Sequence, residues 1–201
     1  MSTLPARRLT LDAKGFVSHA RQIASPNCDA RPHGEAITLI VVHNISLPPG
    51  VFGSDAIERL FTNTLDPAAD PSFAAVAGLH VSAHFLVRRD GALIQFVPCE
   101  ARAWHAGVSQ WQGRERCNDF SIGIELEGTD SQPFEPAQYT TLAKLVRLLR
   151  RRYPITGIAG HSDIAPGRKT DPGPAFDWAR LERLLATRRP RVVGGSQRRP
   201  G

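Results

Sequence analysis

Apolar and polar positions along this chain follow two periods, and the change from one to the other marks its elements. Residues 37–42, Thr38 aside, are β-branched or aliphatic and end at His43, which predicts a strand buried on both faces with the histidine at its C-terminal end. Residues 82–88 and 92–97 flank Arg89-Asp90-Gly91, the pattern of a β-hairpin closed by an Asp-Gly turn. Residues 120–126 predict another strand. Its period of two sends Ile122, Ile124 and Leu126 to one face and Ser121, Gly123, Glu125 and Glu127 to the other, so a glutamate on the glycine side can line a cleft. From 135 to 153 the spacing becomes helical: Leu142, Leu145, Val146 and Leu149 form a stripe, with Lys144, Arg147, Arg150 and Arg151 between, and Pro154 ends it. A last helix is expected over about 176–186.

Between the first strand and the hairpin the pattern is irregular. Leu47-Pro48-Pro49-Gly50 forces a turn, Ser54 or Asp55 is placed to cap a short helix through about Asn63, and Pro67 and Pro71 interrupt any regular element beyond it. Residues 47–78 therefore read as a long surface loop with one helix in it, a candidate mobile cover for a substrate. Strands, a long helix, a strand and a helix predict an α/β (α+β) fold: a single domain with a central mixed β-sheet flanked by helices.

Composition narrows the class. A chain of 201 residues, 41% hydrophobic, supports one sizeable core. Its apolar runs fall short of the roughly 20 residues a membrane span needs, and the first 17 residues lack the apolar stretch of an export signal, so no membrane association and a cytoplasmic location are expected. Cys28, Cys99 and Cys117 are odd in number and widely spaced, which argues against a disulfide framework or a CxxC zinc knuckle. The net charge of +6 suggests nucleic acid, but Arg188, Arg189, Arg191, Arg198 and Arg199 supply five of those charges, leaving +6 − 5 = +1. Residues 1–187 are accordingly taken as the domain and 188–201 as a basic, disordered tail, with no nucleic-acid partner and a monomeric state expected.

The chemistry-bearing residues lie far apart: His43, His161 and Asp171, with Lys169 nearby. Two imidazoles and one carboxylate are the ligand set of a catalytic zinc, which keeps its fourth position open. Seven histidines (His19, His33, His43, His80, His84, His105, His161) allow other triads, and spacing alone does not choose among them. In this scheme Glu125 serves as general acid/base, with a structural ion pair to Arg114 or Arg116 as its rival role. Lys169, two residues before Asp171 and on the same side if the segment is extended, is placed to stabilise an oxyanion. His84 is read as a packed histidine, and His105 as lining the cleft rather than binding metal.

Four strings make the resemblance specific: Val41-Val42-His43-Asn44-Ile45-Ser46-Leu47-Pro48-Pro49-Gly50; Arg102-Ala103-Trp104-His105-Ala106-Gly107; residues 113–128, from Gly113-Arg114-Glu115-Arg116 to Glu125-Leu126-Glu127-Gly128; and Arg168-Lys169-Thr170-Asp171-Pro172-Gly173-Pro174. Over about 11–185 the chain resembles the bacterial cytoplasmic anhydro-N-acetylmuramyl-L-alanine amidases of peptidoglycan recycling, related to phage lysozyme-type amidases and peptidoglycan recognition proteins. The resemblance implies one zinc ion per chain on His43, His161 and Asp171, with Glu125 as acid/base and Lys169 as transition-state stabiliser. It also implies sugar or stem-peptide contacts at Asn44, Ala103, Trp104 and Arg116, and a small-molecule anhydromuropeptide substrate cleaved between the lactyl group and L-alanine. The chain departs from the pattern at His80, where relatives often carry arginine, and at Ser162-Asp163. Three rivals are a non-catalytic muropeptide-binding module, an amidase of intact cell wall, and a basic nucleic-acid binder resting on the tail.

Overall fold

Alternation along two neighbouring strands decides where the core ends and the site begins. The computed structural model describes residues 8–187, and the basic tail read at 188–201 lies outside them. In chain order come β1 (Arg21–Gln22), β2 (Cys28–Ala30), β3 (Leu39–Ile45), α1 (Ala56–Phe61), a 3-10 turn (Pro71–Ala75), β4 (Phe85–Val87), β5 (Leu93–Gln95) and β6 (Ala101–Ala103). Beyond these lie β7 (Gln110–Trp111), β8 (Arg114–Glu115), a 3-10 turn (Cys117–Asp119), β9 (Ser121–Glu127), α2 (Pro136–Arg152), β10 (Gly157–Gly160), α3 (His161–Ile164) and α4 (Trp178–Ala186). The main sheet has the order β1-β5-β4-β9-β3-β10. All its pairs are parallel except the β4–β5 hairpin, so the sheet is mixed.

β3 and β9 lie at the centre and pair Leu39 with Ser121 through to Ile45 with Glu127. The even positions Ile40, Val42, Ile122, Ile124 and Leu126 are buried against Leu142, Leu145, Val146 and Leu149 of α2, with Phe176 and Leu181 closing the cluster. The odd positions face the other way. Leu39 and Val41 pack there with Ala106, Cys117, Phe120, Ala159 and Ile164, and the next odd position after them is His43. The stripe predicted for α2 is thus the face that covers one side of the sheet. Gln138 and Glu135 complete a capping box at its start.

Residues 47–78 differ from the expected loose cover. Leu47, Ala56, Ile57, Leu60, Phe61, Leu65 and Phe73 are buried in a second core cluster with Leu86, Ile94 and Phe96. The attachment is polar as well. Buried Glu127, at the end of β9, accepts from Gly53 N at 2.6 Å and pairs with Arg88 at 2.8 Å, while Arg88 also pairs with Glu58 of α1 at 2.7 Å. Apolar residues scattered through the segment seat it in a core shared with the β4–β5 hairpin, which the Pro-rich punctuation conceals.

Candidate metal centre

Register brings the two imidazoles together. β10 pairs in parallel with β3, with Gly160 opposite Val42, so His161 and His43 are each the next residue along adjacent strands. Both sit at the C-terminal side of the pairing, where crevices form in open sheets with parallel strands. Asp171 arrives from the loop after α3. Its carbonyl accepts from Ser162 N at 2.9 Å, and Pro172 approaches Gly160 so closely that a Cβ there would lie 2.8 Å from its ring. Glycine at 160 is what admits this loop.

The result is a triangle: His43 Nδ1 and His161 Nδ1 are 3.0 Å apart, and Asp171 Oδ2 lies 3.0 Å and 3.1 Å from them. His161 Nε2 donates to Ala106 O at 3.1 Å, which leaves its Nδ1 lone pair facing the triangle. Three electron-pair donors turned on one point suit a divalent cation. Tetrahedral zinc with bonds of about 2.0–2.1 Å places its ligand atoms about 3.3 Å apart, so the donor set fits after opening by a few tenths of an ångström. Among the described residues this is the one group of three or more His, Cys, Asp or Glu side chains that meets a metal-binding geometry.

Electrostatics separate the carboxylates. Burial disfavours the Asp171 charge, yet in the metal-free triangle a proton shared with the His161 and His43 imidazoles sits on nitrogen and holds the carboxyl well below the usual range. Burial lowers His43 to about 4, with Asp171 opposing the shift. Glu125 is opposite His43 in the β3–β9 register, and its Oε2 is buried with no hydrogen-bond partner among the described residues. Burial first, then the Asp171 charge, raise its carboxyl well above the usual range, while Lys169 pulls it down. A buried carboxyl with no structural partner beside a cation site is free to carry a proton. The two arginines read as rival partners are engaged elsewhere: Arg114 binds Glu35 at 2.5 Å and Arg116 binds Asp119 at 3.2 Å.

Lys169 is not on an extended segment. Its amide donates to Ala165 O in the turn after α3, so its nearness to the centre comes from that turn and not from strand alternation. Asn44 Nδ2 donates to Asp130 Oδ1 at 2.6 Å, and Trp104 is half-buried, its backbone N–H donating to Ser82 Oγ at 3.1 Å. The Arg116 side chain is 70% exposed and borders a groove of about 550 Å³ beside α3, lined also by Val108, Glu115, Ile164 and Arg168. Ala103 differs from expectation. It is fully buried, paired with Cys28 and packed into the second core cluster, and it has no accessible surface for a ligand here.

Of the histidines outside the triad, His84 is packed as the sequence suggests, and His105 has an unforeseen contact. His84 is fully buried, its Nδ1 accepting from Gly123 N at 3.0 Å and its Nε2 donating to Ala101 O at 3.1 Å. His105 is not in the triangle, yet its Nδ1 lies 3.0 Å from His43 Nε2. The motif Trp104-His105-Ala106 is the signal in the sequence, though nothing in it says which atom of which residue His105 meets.

The family model for N-acetylmuramoyl-L-alanine amidase matches residues 33–174, which include the whole triangle, Glu125 and Lys169. This chain belongs to the N-acetylmuramoyl-L-alanine amidase family. A relative in this family, 1,6-anhydro-N-acetylmuramyl-L-alanine amidase AmpD of Escherichia coli (strain K12), is 60% identical over 175 residues, covering 86% of this chain and 96% of the relative. The crystal structure of a Se-Met AmpD derivative superposes with a TM-score of 0.85 at 59% identity, covering 87% of this chain and 98% of that one. The Escherichia coli amidase AmiD, solved with anhydro-N-acetylmuramic acid-L-Ala-D-gamma-Glu-L-Lys, superposes with a TM-score of 0.55 at 33% identity, covering 87% of this chain and 65% of that one. Family membership makes the protein an amidase, a hydrolase of a carbon–nitrogen amide bond. Among the described residues no helix is long and apolar enough to cross a membrane.

Proposed function

We propose that this amidase hydrolyses the bond between the lactyl group of 1,6-anhydro-N-acetylmuramic acid and L-alanine of the stem peptide, in cytoplasmic peptidoglycan recycling, with one zinc ion on His43, His161 and Asp171. The observation that carries the reading is the unpartnered, buried Glu125 carboxyl set opposite His43 beside three converging metal ligands. Similarity to AmpD of Escherichia coli supports the anhydro substrate.

When bound, zinc supplies Lewis acidity and makes hydroxide available near neutral pH. Glu125 takes the proton of the attacking water at its buried oxygen and returns it to the departing L-alanine nitrogen, so one carboxyl serves as base and then as acid. Its raised proton affinity suits holding that proton between the two halves of the cycle, and the Lys169 charge acts in the opposite direction. Lys169 stands ready for negative charge developing on the carbonyl oxygen. Trp104 offers an aromatic face to the sugar ring and Asn44, held by Asp130, a polar edge. Arg116, exposed at the groove beside α3, suits a stem-peptide carboxylate. Ala103 is left out of the contact set because it is buried. Removing metal with a chelator is expected to abolish release of peptide from an anhydromuramyl tripeptide, and stoichiometric zinc to restore it. Undiminished turnover in the stripped protein contradicts the proposal.

A further inference from the structure

His105 is not one of the three residues of the triangle, yet its surroundings are built around it. Its ring lies over Gly123 in β9, where a Cβ would come within 2.4 Å of the ring, so glycine at 123 exists in this strand as the seat for that imidazole. Asn118 Oδ1 accepts from both His105 N at 3.1 Å and Ala106 N at 2.8 Å, fixing the two residues as one piece. That piece reaches both imidazoles of the triangle. The Ala106 carbonyl takes the Nε2 proton of His161, and His105 Nδ1 stands 3.0 Å from Nε2 of His43.

The protons on this chain of contacts can be assigned from one end. Ser121 Oγ lies 2.5 Å from Cys117 O, a carbonyl that only accepts, so the serine hydroxyl donates there. Ser121 Oγ is then left as acceptor for His105 Nε2–H at 3.1 Å. With its proton on Nε2, His105 presents a bare Nδ1, and that atom accepts from His43 Nε2–H. His43 therefore keeps Nδ1 unprotonated and directed at Asp171 and His161.

We propose that His105, set in its Nε2–H tautomer by Ser121, is a positioning residue that fixes the tautomer and ring orientation of His43 for metal. Together with the Ala106 carbonyl it makes the 105–106 segment a bracket for both ligand imidazoles. The inference rests on reading His43, His161 and Asp171 as metal ligands. Partners that orient metal-ligating histidines in this way typically change affinity by about 10–100-fold when removed.

Nitrogen-15 NMR of histidine side chains in the zinc-loaded protein, with zinc titrations of His105→Phe and Ser121→Ala, tests it. Phenylalanine keeps a ring over Gly123 and removes both polar contacts. The expected result is His105 protonated at Nε2 only, a zinc dissociation constant about 10–100-fold higher in His105→Phe, and a smaller rise in Ser121→Ala. A purely structural role instead lowers the melting temperature of the metal-free variants and leaves their zinc affinity unchanged, which overturns the proposal. A proton on His105 Nδ1 overturns it as well, even if His105→Phe fails to fold. Absence of zinc uptake by the wild-type protein is a different failure, since it removes the metal reading underneath.

Discussion

Asp171 and Glu125 are both carboxyls at one centre, and their surroundings push them apart: in the metal-free triangle a proton shared between Asp171 and the two imidazoles sits on nitrogen and leaves the first ionised, while burial and the Asp171 charge favour the proton on the second. That contrast predicts different losses. Asp171→Ala is expected to weaken zinc binding sharply in a competition titration, whereas Glu125→Ala should retain zinc and lose roughly 10²–10⁴-fold in turnover. A Glu125→Ala protein with wild-type turnover refutes the assigned role. Residue type marks His43, His161, Asp171, Glu125 and Lys169 as candidates, but seven histidines leave other triads open, and it is the family resemblance that singles this set out. The partners that orient them are less legible, since Ala106 contributes a carbonyl and Gly123 contributes the lack of a side chain. Neither contribution has a signature in composition or periodicity.

Among the elements, β3, β9 and α2 express their periodicity almost residue for residue. Strand alternation puts the even positions of β9 under α2 and leaves Glu125 on the opposite face beside His43, as the alternation predicts. Leu145 of α2 is fully buried in that interface. Its replacement by alanine should cost about 2–5 kcal/mol in urea unfolding, and a change under about 1 kcal/mol contradicts the packing described. The segment 47–78 departs from its sequence reading for a physical reason. Its apolar residues follow neither period over a useful length, because they reach a core built by α1, a 3-10 turn and the hairpin together. Buried Glu127 and Arg88, which tie Gly53 and α1 to the sheet, are pairings between positions distant in sequence, and local pattern does not reveal such pairs.

The molecule as a whole keeps several histidines neutral in its interior. Burial lowers His84 and His105 well below 6.5, and His43 to about 4. The unfolded chain takes up protons at these sites once the pH drops below about 6.5, whereas the folded chain refuses them until near its own lower values. The histidine contribution to stability is therefore fully present above about pH 6.5 and is lost as pH falls toward 4, by up to about 1.4 kcal/mol per pH unit for each such group. The raised carboxyl of the single Glu125 opposes the three histidines only in part. Urea unfolding of the metal-free protein at pH 7.5, 6 and 5 checks the sign, and a midpoint that holds constant across the series contradicts it.

The same architecture presents the His43, His161 and Asp171 triangle, a buried glutamate with an unpartnered oxygen and a groove of about 550 Å³ beside α3, and these together are proposed to serve an anhydromuropeptide. The decisive experiment is mass spectrometry of zinc-loaded protein incubated with an anhydromuramyl tripeptide and, separately, with its reducing-end muramyl counterpart. Rapid release of the tripeptide from the anhydro form, with little from the reducing-end form, is the expected result. Equal cleavage of both contradicts the assigned specificity, and binding of the anhydro form without cleavage contradicts the catalytic role of the site.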